Sequence, residues 1–152
     1  MALNQAFLNR SYPSKETYQV TDEQIKTFAK AIGDNNDYVE QGFASPTFLI
    51  SIQMGAMQVA LFDPELGLDW NKVVHGEQSF EYKKPVQVGD VLSFISTIED
   101  IKTKVGNDFI TIRSDVKNQN NQDVATLKAT LIRSEEHTSE LQSQSTISYA
   151  VF

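Results

Sequence analysis

The sequence predicts an α+β fold in which an antiparallel sheet wraps around one long buried helix. Two observations support this class. Residues 46–61 are apolar nearly all round a helix, which is typical of a helix buried in a core. Four segments with alternating apolar residues, joined by turn-rich links, follow in the second half of the chain and indicate an antiparallel meander. The length of 152 residues suits one domain.

The first predicted helix begins after Thr21 and ends at Gly33. The Thr21 hydroxyl suits the N-cap, and Gln24 stands at the reciprocal position of a capping box. Gly33 supplies the stop, because glycine enters the left-handed conformation at little cost. A polar loop is expected from Asp34 to Gly42. The apolar face of this helix consists of Ile25, Phe28, Ala29 and Ile32, at helical spacing.

The second predicted helix is the buried one, which opens at Ser45 and Pro46 and runs to Leu61. Proline suits the first turn of a helix, since its missing N–H has no intrahelical partner there. Period-2 spacing of apolar residues then predicts four half-buried strands. Their expected ranges are about Val73–Lys83, Val91–Ile101, Phe109–Lys117 and Val124–Ile132.

The chain is acidic, with 13 basic and 20 acidic residues and a net charge of −7. Nucleic acids are bound by clustered Lys and Arg, so the charge argues against a nucleic-acid partner. The absence of cysteine excludes disulfides and thiol chemistry. No segment approaches the ~20 apolar residues of a membrane span, and residues 1–10 lack the apolar run of a secretory signal. We therefore expect a cytoplasmic protein with no membrane partner.

The sequence pattern of the last twenty residues indicates that they have a different origin from the rest of the chain. Residues 133–143 (RSEEHTSELQS) and 147–152 (ISYAVF) match the in-frame translation of a common sequencing adapter, in the adapter's own order. An ordinary polar tail is the alternative. We expect a single domain over residues 1–132 and a non-native tail over residues 133–152. His75 is then the only histidine of the domain.

Three segments carry a resemblance to a known family. They are AIGDNN at residues 31–36, ASPTF at residues 44–48, and the stretch from HGEQ at residue 75 through KKP to VGD at residue 90. In this order they resemble the MaoC-like dehydratase family. They are most similar to its N-terminal-type branch, which is related to fungal fatty-acid-synthase dehydratase domains. The resemblance implies a hot-dog fold and a dimer.

The resemblance also implies an activity. Catalytic members are hydro-lyases of fatty acid metabolism that act on (3R)-hydroxyacyl and enoyl thioesters of CoA or acyl carrier protein, without a metal or cofactor. They carry a signature like G-D-x-N-P-x-H, whose Asp and His activate the water. Asp34 and Asn36 match it, but Asp37 replaces the proline. The histidine position falls at Val39, or at Tyr38 if one residue is deleted.

This departure leaves alternatives open. In heterodimeric (3R)-hydroxyacyl-ACP dehydratases, a subunit without the histidine shapes the acyl channel while its hot-dog partner supplies Asp and His. The chain is similar to that supporting type, so it is expected to form a homodimer or a heterodimer with a second hot-dog subunit. A hot-dog thioesterase is a further alternative.

The candidate catalytic residues are Asp34, Asn36 and His75. Asp34 would hold or activate water, and Asn36 would hold the loop or a substrate carbonyl; either residue alternatively serves only the turn after Gly33. His75 has an ordinary pKa near neutrality and would act as an acid–base group. Alternatively, it is a histidine at the start of a strand whose ring nitrogens bind backbone.

The candidate substrate-binding residues lie on the buried helix. Its N-terminus at Pro46 and Thr47 would offer N–H groups to the thioester oxygen as enolate charge develops. Phe48, Met54 and Met57 would line an acyl channel, with flexible thioethers adapting to chain length. Core packing is the alternative explanation for these three side chains. No metal ligands are expected.

Overall fold

A computed structural model describes residues 4–14, 16–66 and 72–134. After a 3-10 turn at Gln5–Phe7, the helices are α1 (Asp22–Ile32), α2 (Asp37–Glu40), α3 (Ile50–Ala56) and α4 (Gln58–Leu61). The strands are β1 (Ser11–Pro13), β2 (Tyr18–Gln19), β3 (Val73–Tyr82), β4 (Val91–Lys104), β5 (Asn107–Lys117) and β6 (Asp123–Ser134). Within these parts of the chain, no helix is long and apolar enough to span a membrane.

The strands form one antiparallel sheet in the order β1-β4-β5-β6-β3, and β2 also pairs with β4. β3 is therefore an edge strand. The helical segment packs on one face of this sheet, so the predicted α+β architecture is confirmed. The four long strands lie where the alternation of apolar and polar residues predicted them. This alternation arises because one face of the sheet is buried and the other is not.

Both ends of α1 follow from local sequence. The Thr21 side chain accepts from the Gln24 N–H at 3.2 Å, and the Gln24 side chain accepts from the Thr21 N–H at 3.2 Å. Gly33 ends the helix in the left-handed region, with φ 73°. The predicted capping box and glycine stop are confirmed.

The predicted buried helix over residues 46–61 differs from the observed structure at its start and at Met57. Residues 46–49 form tight turns rather than α-helix, since the N–H of Phe48 bonds to Ser45 O at 2.9 Å and the N–H of Ile50 bonds to Thr47 O at 3.1 Å. The segment is also interrupted at Met57, between α3 and α4. The prediction of one long helix that begins at Pro46 is therefore wrong. The structure has two short helices, and the first of them begins at Ile50. The predicted polar loop also contains the single turn α2.

The last strand runs two residues beyond the predicted end at Ile132. Arg133 and Ser134 belong to β6, and the Arg133 guanidinium forms a buried ion pair with Asp108. Thr103 donates to the other Asp108 oxygen at 2.6 Å. Two residues of the expected tail therefore complete the sheet; the remainder of that segment lies outside the described residues.

The interior contains two apolar clusters. The first packs α1, α2 and the beginning of α3 on one end of β4–β6, and the second packs α4 on the other end. Between them, Gln53, Ser96 and Ser114 are fully buried. A band of polar side chains therefore crosses the core at the junction of the two clusters.

Candidate functional site

Asp34 lies directly after α1 and gathers four hydrogen bonds. One carboxylate oxygen accepts from the Asn36 backbone N–H at 3.1 Å and from its Nδ2 at 2.7 Å. The other accepts from Ser45 Oγ at 2.7 Å and from the Tyr38 hydroxyl. Asp34, Asn36, Tyr38 and Ser45 are called the Asp34 cluster below. The structure thus brings together two of the three predicted catalytic residues.

The cluster stabilises the carboxylate in its charged form. The hydrogen bond from Tyr38 lowers the pKa of Asp34 most, followed by the bond from Ser45. Burial opposes this shift, and the two bonds from Asn36 lower the pKa further. The bond between Tyr38 and Asp34 also raises the pKa of the Tyr38 hydroxyl. A carboxylate with a pKa far below its ordinary value is a poor proton acceptor near neutral pH. Asp34 is accordingly best suited to holding its neighbours.

The structure places the two residues at which the family's histidine is expected in different surroundings. The Tyr38 side chain reaches Asp34, whereas Val39 turns inward and is 5% exposed in the first apolar cluster. Ser45 is buried, so its bond to Asp34 ties the start of the next segment to the end of α1. The four residues therefore close the loop from both sides.

The turn after Ser45 exposes two of the predicted substrate-binding residues. Pro46 and Thr47 are both exposed, and the Pro46 carbonyl accepts a hydrogen bond from the Tyr82 hydroxyl at the end of β3. Burial raises the pKa of Tyr82 to about 12, so this hydroxyl remains a donor. The expected helix N-terminus at Pro46 is replaced by this anchored turn.

An apolar groove of about 510 Å³ lies between α1 and α3. Phe48 forms its floor and meets Phe28 edge to face, with ring centroids 5.6 Å apart. Gly55 faces the groove, because a Cβ built on it would meet no atom within 4 Å. A second groove, of about 570 Å³, adjoins the first at Tyr18 and Gly55. The first is lined by Tyr18, Glu23, Gln24, Thr27, Phe28, Ala31, Phe48, Ser51, Ile52 and Gly55.

Met54 and Met57, the other two predicted channel residues, pack in the core and do not line this groove. Met57 is fully buried in the second apolar cluster, and Met54 is partly buried against both clusters. Neither lines the groove between α1 and α3. Packing in the core accounts for their positions, whereas Phe48, although 2% exposed, is a predicted channel residue that lines the groove.

The buried polar side chains form a continuous hydrogen-bonded chain. His75 Nε2 lies 3.0 Å from Gln78 Oε1, and Gln78 Nε2 donates to Gln53 Oε1 at 2.8 Å. Gln53 Nε2 donates to Ser114 Oγ at 3.2 Å, which lies 3.0 Å from Ser96 Oγ. These five residues are called the polar chain. Burying an amide without partners costs about 1–3 kcal/mol, so the continuity of the chain is what makes Gln53 tolerable in the core.

A β-bulge in β3 turns His75 and Gln78 toward the same face of the sheet. Side chains three residues apart on a regular strand point to opposite faces. In β3 the pairing register shifts between His75 and Glu77, so Gly76 is extra and His75 and Gln78 share a face. A Cβ at Gly76 would lie 2.7 Å from the Ile132 Cδ1 atom, so any larger residue would require the Ile132 side chain to shift.

His75 therefore lies in a different network from Asp34. Burial lowers the pKa of its imidazole, while hydrogen bonds to Gln78 and to the Glu77 backbone oppose this. The ring is neutral near pH 7 and half-buried at the sheet edge. The structure does not assemble an Asp–His dyad from Asp34 and His75, since all four described hydrogen bonds of the Asp34 carboxylate come from Asn36, Tyr38 and Ser45.

The sequence prediction missed six polar residues of these networks: Tyr38, Ser45, Gln53, Gln78, Ser96 and Ser114. Gln53 carried a usable signal, because an amide inside the apolar run 46–61 requires buried partners. Gln78 stands in the HGEQ segment that was quoted for the resemblance. The partners of Tyr38 and Ser45 depend on loop geometry, which spacing alone does not reveal.

The chain matches a known family over most of its length. The model of the FAS1-like dehydratase domain region matches residues 6–127. The UPF0336 protein of Streptomyces griseus subsp. griseus is 41% identical over 143 residues, which cover 87% of this chain and 95% of that protein. The UPF0336 protein of Thermobifida fusca is 39% identical over 143 residues, with 87% and 94% covered.

Solved structures show the same fold at low sequence identity. A MaoC-like dehydratase aligns with a TM-score of 0.77 and 18% identity, over 91% of this chain and 47% of its own. A chain of the HadBC (3R-hydroxyacyl-ACP dehydratase) complex from Mycobacterium tuberculosis aligns with a TM-score of 0.70 and 22% identity, over 83% and 96%. The (R)-hydratase from A. caviae aligns with a TM-score of 0.61 and 16% identity, over 84% and 98%.

Proposed function

The chain belongs to the FAS1-like dehydratase-domain family, and from this premise we propose that it works in the hydration and dehydration of enoyl and (3R)-hydroxyacyl thioesters. Within this reaction it serves as the acyl-binding subunit of a dimeric hydro-lyase whose partner supplies the Asp–His pair. The thioester is carried by CoA or acyl carrier protein, and the reaction belongs to cytoplasmic fatty acid metabolism.

One observation carries the choice of the supporting role. The Asp34 carboxylate accepts four hydrogen bonds, one of them from the Tyr38 hydroxyl, and none of these donors is a histidine. A general base must accept a proton in the transition state, which requires a pKa near the working pH. The lowered pKa of Asp34 and its occupied oxygens favour a role in holding the loop.

The groove between α1 and α3 supports the acyl-binding part of the proposal. Its aromatic and aliphatic walls suit a hydrocarbon chain, and the missing side chain of Gly55 keeps it open. Phe48 lies two residues after Pro46, so a thioester near the exposed turn would direct its acyl chain along this groove. Lys83 and Lys84, which follow β3 beside that turn, remain candidates for contacts with carrier phosphates.

A dimer is part of the proposal. β3 is an edge strand, and exposed strand edges are available for pairing with another chain. The similar HadBC protein from Mycobacterium tuberculosis is named as a (3R)-hydroxyacyl-ACP dehydratase complex. This supports a second hot-dog subunit as the partner, while a homodimer is the simpler arrangement.

A second candidate function is hydration by this chain alone. The observation in its favour is the neutral imidazole of His75, which can accept a proton at neutral pH. In that case Asp34 and Asn36 would orient water and His75 would be the base. The two functions differ in whether activity requires a partner.

An assay with crotonyl-CoA separates the two functions. The purified chain alone is expected to hydrate it no faster than buffer. Mixed with a hot-dog subunit that carries G-D-x-N-P-x-H, it is expected to raise the rate above that of the partner alone. Hydration by the lone chain, abolished by Asp34→Asn but not by Asp37→Asn, would contradict the supporting role. Asp37 is a matched control because it is an exposed carboxylate of the same loop.

A further inference from the structure

The groove between α1 and α3 continues past Gly55. Tyr18 on β2 and Gly55 on α3 line both this groove and the second one, so the two are contiguous between β2 and α3. The first groove follows the helical segment from Phe48 to Gly55, and the second follows it from Gly55 to Asp63. At the rise of an α-helix, each of these stretches extends over about 10 Å.

Gly55 stands at this junction, where the fold itself makes no demand for glycine. Its backbone belongs to the α-helix α3, and a Cβ would meet no atom within 4 Å. Glycine destabilises a helix relative to alanine, because its backbone loses more conformational freedom on folding. Neither turn geometry nor close packing therefore explains this residue, whereas the missing side chain leaves the junction of the two grooves open.

The charges along the grooves favour an uncharged occupant. Glu23 lines the first groove, Glu16 and Asp63 line the second, and the described residues that line the two grooves include no Lys or Arg. A phosphate or a free carboxylate would be repelled by these side chains. Lys83 and Lys84 lie instead after the end of β3. The phosphates of a carrier are therefore expected outside the grooves, and only a hydrocarbon chain inside them.

We infer that Gly55 is a specificity-determining residue that opens the second groove to long acyl chains, so that long-chain acyl thioesters are the preferred ligands. A crotonyl chain ends within the first groove. A palmitoyl chain passes Gly55 and reaches the rings of Tyr12 and Phe62, which line the second groove. The inference rests on the proposed function, which supplies the thioester, and adds the length of its acyl chain.

The affinity of the wild type for acyl-CoAs should then rise with chain length through both grooves. Each methylene that is fully buried tightens binding by up to about fourfold. In calorimetry on the full-length chain, below the concentration at which acyl-CoAs form micelles, the dissociation constant is expected to fall from crotonyl-CoA to octanoyl-CoA and again to palmitoyl-CoA. A constant that stops falling at octanoyl-CoA would overturn the inference without any variant.

Gly55→Leu tests the junction directly. Its side chain would occupy the open space between the grooves, so binding of palmitoyl-CoA is expected to weaken by about tenfold or more and binding of crotonyl-CoA to stay within about twofold. Gly55→Ala is expected to bind both as the wild type does, since its Cβ meets nothing. Lys30→Leu is the matched control, because it places the same side chain at an exposed position of α1 that lines neither groove.

Two results with Gly55→Leu would overturn the role of Gly55 and leave the proposed function standing. One is unchanged binding of palmitoyl-CoA; if sedimentation then shows a changed oligomeric state, the grooves hold a second copy of the chain instead. The other is an equal loss of crotonyl-CoA and palmitoyl-CoA, because the side chain would then disturb the whole site. A wild type that binds none of the acyl-CoAs would contradict the proposed function, and the inference with it.

Discussion

The Asp34 cluster and the polar chain use hydrogen bonds in opposite ways. The Asp34 cluster lies in a surface loop and closes on itself, with every donor directed at one carboxylate. The polar chain crosses the core and ends at an imidazole on the sheet edge. The first arrangement ties two segments of backbone together, and the second orients one titratable ring.

This difference shows that a matching motif and a working site are separate things. Asp34 and Asn36 match the family signature, yet their geometry serves the loop. Gln53 and Gln78 match no catalytic signature, yet they are the residues whose burial has a cost that packing alone would avoid. The comparison predicts that the protein is more sensitive to changes in the polar chain than to changes in the Asp34 cluster.

The largest effect is expected from Gln53→Ala. This change removes one hydrogen bond each from Gln78 and Ser114 and creates a cavity at the junction of the two apolar clusters. The free energy of unfolding should fall by about 3 kcal/mol, measured by urea denaturation. Gln58→Ala, the exposed control on α4, should stay within about 0.5 kcal/mol of the wild type. Equal losses in the two variants would mean that the hydrogen bonds of the polar chain make no specific contribution to the free energy of unfolding.

A smaller loss is expected from Gly76→Ala. The added Cβ would lie 2.7 Å from the Ile132 Cδ1 atom, so the Ile132 side chain or the bulge must shift. Overpacking of this kind costs about 1–2 kcal/mol. Gly55→Ala is the control, since its Cβ meets nothing within 4 Å and alanine favours the helix by about 0.5–1 kcal/mol. If thermal unfolding shows Gly76→Ala to be neutral, the bulge does not depend on this glycine.

Local features of the fold were predictable from the sequence. The capping box of Thr21 and Gln24 and the stop at Gly33 depend on residues within one helix. The four long strands follow from alternation, which reports which face is buried. The tight turns before Ile50 were not predicted, because proline and apolar residues fit an α-helix equally well there.

The candidate site was predictable only in part. Sequence spacing identified Asp34 and Asn36 as neighbours, and the structure shows them bonded. Asp34 also accepts a hydrogen bond from Ser45, which lies eleven positions further along the chain. This contact forms only because the loop conformation brings the two residues together. The polar chain joins α3, β3, β4 and β5, so its partners become neighbours only once the sheet is assembled. Residues that act together across elements leave no periodic pattern to detect.

Within the Asp34 cluster, Ser45→Ala provides the matching test. Its hydroxyl is buried and donates to the charged Asp34, so removing it should cost about 1 kcal/mol in urea unfolding. The neighbouring Thr47 is exposed, and Thr47→Ala should change stability by less than about 0.5 kcal/mol. A loss in Ser45→Ala larger than that in Gln53→Ala would reverse the ranking of the two networks.

The smallest effect concerns the dependence of stability on pH. The pKa of His75 lies below its ordinary 6.5 in the folded protein, so the unfolded chain binds a proton on this ring at a higher pH. Its contribution is complete above 6.5 and is lost as pH falls toward the folded pKa. The pKa of Asp34 is lowered from 3.8, so its contribution is lost only at more acidic pH.

Urea unfolding between about pH 7.5 and about pH 5 tests this difference. The free energy of unfolding should depend less on pH in His75→Gln than in the wild type, and its dependence should be unchanged in Asp34→Asn. His137 is common to all three proteins. A flatter dependence in Asp34→Asn over this range would mean that the cluster, rather than the polar chain, contains the group that titrates near neutrality.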